Sequence, residues 1–96
     1  MKAEIFNFHG WIAETLPEKV TAVMEEYLGK AGFTVLDKVA HQFSPGGFTA
    51  VWILAESHLA VNSFPEENKT YVEISSCSLT KNKAFLKQIE PLVIPQ

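Results

Sequence analysis

Glu56-Ser57-His58 puts a carboxylate, a hydroxyl and an imidazole in three consecutive positions. An apolar run, Phe48 to Ala55, leads in, and a second, Leu59 to Phe64, leads out. Polar groups between two buried-looking strands need partners or a use. The use these residue types allow is attack on the chain itself. The Ser57 hydroxyl can attack the carbonyl of Glu56 and turn an amide into an ester. The structural alternative is a bulge or tight turn joining two strands, with Glu56 and His58 in water. On these residues alone the turn is the better reading.

Composition removes several other chemistries. The chain has 96 residues, 47% apolar and 20% charged, as expected of one soluble domain over residues 1–96. The net charge of -3 and the absence of any arginine argue against nucleic acid as a partner. No apolar run has the length of a membrane span, and Met1-Lys2-Ala3-Glu4 does not open a secretory signal. The single cysteine, Cys77, cannot form an internal disulfide, which fits the cytoplasm. No cysteine or histidine pair has zinc spacing, so no metal is expected.

The elements that must carry the triplet follow from periodicity. Ala3 to Phe8 reads as a short strand, with His9-Gly10-Trp11 as its exit. Thr15 and Glu18 form a capping box around Pro17. Leu16, Val20, Val23, Met24, Tyr27 and Leu28 then recur at helical spacing, and Gly29 or Gly32 stops the helix. Phe33 to Phe43 reads as a strand with Phe33, Val35, Val39, His41 and Phe43 on one side. After the Ser44-Pro45-Gly46-Gly47 turn, residues 48–55 read as a central strand buried on both faces. Leu59 to Phe64 is the next strand, with Ala60, Asn62 and Phe64 on one side. Pro65 to Asn68 is a turn, and Lys69 to Cys77 alternates as a strand. Ser78 or Thr80 starts a second helix, whose Ala84, Phe85, Leu86 and Ile89 face inward. Pro91 ends it, and Leu92 to Ile94 forms a last strand. This order predicts an α+β two-layer sandwich, an antiparallel sheet with two helices on one face. The small size also predicts self-association, with a dimer as the expected form.

Three stretches together resemble a family. They are His41-Gln42-Phe43-Ser44-Pro45-Gly46-Gly47, Glu56-Ser57-His58-Leu59-Ala60 and Phe64-Pro65-Glu66, with Cys77 twenty residues after Ser57. The pattern is similar to the short bacterial and archaeal S-adenosylmethionine decarboxylases, over about residues 3–90. The resemblance implies a proenzyme that cuts itself between Glu56 and Ser57. Ser57 would become a pyruvoyl group, the self-derived cofactor. Its carbonyl would form a Schiff base with the substrate amine and take up electrons as carbon dioxide leaves. The implied product feeds spermidine synthesis.

The resemblance also assigns residues. Cys77 matches the family's proton donor, although a free cysteine is more often a small buried residue. Phe43 and Phe64 match the aromatics that sandwich adenine, the second being often tryptophan in the family. Glu66 matches the acid that binds the ribose hydroxyls. Thr49 stands where the family has a processing serine, and keeps the hydroxyl. Asn62 stands where the family has the histidine that removes the α-proton of the ester. An amide cannot act as that base. Either His41, His58 or water replaces it, or processing stalls. The expected function is therefore S-adenosylmethionine decarboxylation. One alternative is a processing-deficient relative serving as a nucleoside-binding or regulatory subunit of an active partner. A third reading, a pyruvoyl decarboxylase of ornithine or arginine, is disfavoured by Phe43, Phe64 and Glu66.

Overall fold

A computed structural model describes residues 3–55 and 57–95. Five strands form one antiparallel sheet: β1 (Phe6–Ile12), β2 (Val35–Gln42), β3 (Phe48–Leu54), β4 (Ser57–Phe64) and β5 (Lys69–Ser76). Their order across the sheet is β1-β5-β4-β3-β2. Two helices, α1 (Pro17–Ala31) and α2 (Leu79–Ile89), cover one face. The architecture is the predicted α+β sandwich.

Alternation decides which residues meet the helices. Phe48, Ala50, Trp52 and Leu54 of β3, and Leu59 and Val61 of β4, are buried with Val72 and Ile74 of β5. Val20, Met24 and Leu28 of α1 and Phe85 and Ile89 of α2 close the core from above. Each Val, Leu, Ile, Phe or Met among them contributes roughly 1.5–3 kcal/mol when fully buried. The other phase of the sheet has no helical layer. Ile53 there is 43% exposed, so β3 is buried on one face and not on both. An unbroken apolar run carries no phase information, and only the one-sided helix layer separates its two faces.

Several local expectations are corrected. β1 runs on through His9, Gly10 and Trp11, because β5 offers partners from Phe6–Ser76 to Ile12–Thr70. Gly10 belongs inside the strand: a Cβ there would lie 3.1 Å from the Phe8 ring. Thr15 does not cap α1. Leu16 is the cap residue, without a side-chain bond, and the Glu14 carboxylate accepts from the Thr15 and Leu16 amides instead. Gly32, with φ 88°, ends the helix. A bulge between Val35 and Asp37 puts Val35 opposite Leu54 but Asp37 opposite Ile53. Phe33 and Val35 therefore leave the side shared by Val39 and His41. β4 starts at Ser57 rather than Leu59. Ser78 caps α2 by accepting from the Lys81 amide, and the inward face also includes Asn82. Leu92 to Ile94 is not a strand; Val93 makes one bridge to Ile12, and the Ile94 amide donates to the Trp11 carbonyl.

A polar tie joins the layers. The buried Trp52 indole donates to Glu25 Oε2 at 3.0 Å, and Lys38 Nζ reaches the same oxygen at 3.2 Å. The indole N–H chiefly, then Lys38, hold the Glu25 carboxyl below its ordinary value of 4.5. A depressed carboxylate stabilises the fold above its unfolded pKa, and that share is lost as pH falls through the folded one. Glu25→Gln is therefore expected to lower Tm at pH 7, with the gap to the unsubstituted chain closing below about pH 4.5. Thermal melts over pH 3–7 check this; a gap that persists at the acid end contradicts it.

Candidate active site

The β2–β3 turn makes one wall of a cleft. The Phe43 amide donates to the Gly47 carbonyl at 2.9 Å and closes the turn. Gly47 has φ 90°, and a Cβ on it would sit 2.9 Å from the Ser63 carbonyl oxygen. Only glycine lets the turn press this closely on β4. The Phe48 amide donates to Ser63 Oγ at 3.0 Å and pins the same junction. Beyond Phe64, Pro65–Glu67 forms a single 3-10 turn ended by Asn68 at φ 56°. The resulting cleft, about 330 Å³, is lined by Phe43, Thr49, Asn62, Phe64 and Glu66, with Gly46 to Phe48 and Ser63. Five residues singled out from sequence are thus brought together. The glycines and Ser63 were legible as turn and strand residues but gave no sign of forming the wall.

Register sets a row across the open face. His41 pairs with Thr49, Thr49 with Asn62, Asn62 with Tyr71 and Tyr71 with Trp11. The Thr49 hydroxyl donates to Asn62 Oδ1 at 2.6 Å. Asn62 thus faces the cleft, as its strand phase predicted, and its carbonyl is engaged. The His41 ring meets the Phe43 ring at 4.6 Å between centroids, tilted by 63°. His58 lies in a different row, opposite Ile53 and Ser75. Four residues of strand separate it from Asn62, about 13 Å. On the same face the Tyr71 hydroxyl donates to Glu73 at 3.1 Å. Burial first, and Glu73 second, push the Tyr71 phenol up, so it remains protonated as that donor.

Ser57 and Cys77 occupy the other end of the sheet. Ser57 opens β4 and pairs with Leu54 on one side and Ser76 on the other. Cys77 is the next residue after Ser76 and is exposed. The serine and the thiol-bearing residue are therefore neighbours across one strand pair. Glu56 lies outside the described residues. Ser57 and Asn62 are five positions apart along β4, about 16 Å, and in opposite phases. Within one chain the structure forms two clusters: Ser57 with Cys77, and Phe43, Thr49, Asn62, Phe64 and Glu66.

The family profile described as S-adenosylmethionine decarboxylase matches residues 5–93. The chain belongs to the S-adenosylmethionine decarboxylase family. An S-adenosylmethionine decarboxylase proenzyme of Archaeoglobus fulgidus is 33% identical over 79 residues, 77% of this chain and 70% of the relative. Another, of Symbiobacterium thermophilum, is 39% identical over 62 residues, 65% of this chain and 47% of the relative. The second match spans about half of that relative's length. The crystal structure of the adenosylmethionine decarboxylase of Aquifex aeolicus has the same fold, with a TM-score of 0.80 at 20% identity, over 100% of this chain and 85% of that one.

Proposed function

We propose that the chain is a self-processing, pyruvoyl-dependent S-adenosylmethionine decarboxylase acting in spermidine synthesis in the cytoplasm. The observation that carries the reading is the meeting of Phe43, Phe64 and Glu66 in one cleft. Two aromatic rings and a carboxylate suit an adenine base and its ribose hydroxyls. The other end of the sheet fits the self-derived group: a serine at a strand start, with a thiol one position past its cross-strand partner. A pyruvoyl group at position 57 would supply the electron-withdrawing carbonyl that decarboxylation needs. Cys77 would hold the proton delivered to the product carbon. Phe43 and Phe64 would orient the nucleoside, and Glu66 would accept from the ribose.

The two clusters act together only if a second copy of the chain brings its Asn62 end to the Ser57 end of the first. We propose this homodimer. The uncovered sheet face, where Val39 of the edge strand β2 and Ile53 of its neighbour β3 are exposed, supports it. A second reading is favoured by one observation, the Thr49–Asn62 hydrogen bond. That pair holds an amide where a base is wanted. In this reading the chain processes poorly and serves as the nucleoside-binding or regulatory partner of an active relative.

Calorimetry with S-adenosylmethionine tests the nucleoside reading on cut or uncut protein. Phe43→Ala and Phe64→Ala are each expected to weaken binding by about 1–3 kcal/mol, the range for a lost aromatic–base stack. Unchanged affinity in both variants would remove the pocket assignment.

A further inference from the structure

Phe64 does not stand alone in the cleft wall. The Trp11 ring lies behind it, 5.9 Å away between centroids at 54°. Trp11 is in turn held on two further sides. The Tyr71 ring meets it edge-on at 5.3 Å, and Lys69 Nζ sits 4.3 Å above its centroid. Its backbone is fixed by pairing with Tyr71 and by the Ile94 amide. None of these groups belongs to the helix-covered core, so core packing does not account for the cluster. Such clusters keep rings in one orientation, because edge-to-face pairs prefer defined angles. Phe64 is 38% exposed and at the end of its strand, where a lone ring would turn freely about its side-chain bonds.

We propose that Trp11 is a positioning residue for the nucleoside cleft: it braces Phe64 in the orientation that stacks on a purine. The proposal rests on the nucleoside reading above. It also fits the presence of phenylalanine at position 64. A smaller ring offers less stacking area, and a rigid backing lowers the ordering cost of using it. Trp11 acts through Phe64 and need not touch the ligand. Substitutions at Trp11 and Phe64 are then coupled and do not add.

The test uses the full-length chain with adenosine as the probe, followed by calorimetry and by indole emission. Trp11→Ala is expected to weaken adenosine binding about tenfold, and Trp11→Phe to restore most of it. Trp11→Ala added to Phe64→Ala is expected to cost nothing further. The second tryptophan, Trp52, is fully buried under the helices. An emission change on adenosine binding should therefore appear in the unsubstituted protein and vanish in Trp11→Phe, although Trp11→Phe still binds. Far-UV circular dichroism of each variant establishes that it is folded. Wild-type affinity in folded Trp11→Ala, additive losses in the double variant, or an emission change retained in Trp11→Phe would each overturn the inference while leaving the cleft intact. If Phe64→Ala alone binds adenosine unchanged, this inference falls; if Phe43→Ala does so as well, the nucleoside reading falls with it.

Discussion

Asn62→His is expected to raise the rate of backbone cleavage at Glu56–Ser57 by about 10²–10⁴, the usual worth of a positioned general base. The first step, attack of the Ser57 hydroxyl on the preceding carbonyl, forms an ester and needs no base at carbon. The second step removes the α-proton of residue 57 and expels the Glu56 carboxylate. An amide at position 62 cannot take that proton, and its oxygen already accepts from Thr49. In the second reading the unsubstituted chain accumulates as the intact amide or as an ester in equilibrium with it, and in the first it is cut slowly. Hydroxylamine cleaves esters far faster than amides and should cut the trapped ester. Intact mass under denaturing conditions and carbonyl labelling follow both proteins in parallel, the cut chain giving residues 1–56 and 57–96. Rapid, complete processing of the unsubstituted chain would sink the stall. The imidazole in the row of Thr49 and Asn62 is that of His41, which makes it the first base to examine in that event.

The second large effect is complementation between copies. A chain carrying both Ser57→Ala and Asn62→His cannot cut itself, but in the proposed dimer it lends its base to a partner. Coexpressed with the unsubstituted chain, it should drive that partner into two fragments at a rate comparable to the single Asn62→His variant. The distance carries this expectation: about 16 Å of strand between Ser57 and Asn62, in opposite phases, is too far for proton transfer within one chain. The readout is the mass of the unsubstituted chain's fragments, distinguished from the double variant by an affinity tag. If Asn62→His processes alone yet the mixed dimer shows no cut, the base acts within its own chain and the two-copy site is wrong.

Local order made much of the molecule legible. Alternation in residues 69–77 and the 3.6-residue stripe of Val20, Met24 and Leu28 depend only on which side chains must leave water, so both elements form, although the strand ends at Ser76 and Leu16 is an exposed cap rather than part of the stripe. The turn at Gly46-Gly47 and the cap at Ser78 also follow from properties of single residues. The resemblance to a known family was what singled out Phe43, Thr49, Asn62, Phe64 and Glu66, and strand phase was enough to put Asn62 beside Phe64. Partners distant in the chain were not legible. β1 runs to Ile12 because β5 receives it, and Glu14 replaces Thr15 at the helix start through its own carboxylate. The bulge at Val35 reverses a side-chain phase that strict alternation would keep. The bracing of Phe64 by Trp11 depends on β1 and β4 flanking β5, a neighbour relation that spacing along the chain cannot express. The separation of Ser57 from Asn62 emerged only once β4 reached back to Ser57 and the sheet put Cys77 at one end and the cleft at the other. Sequence selects residues by type and spacing, whereas strand order and register decide which of them share an end of the sheet.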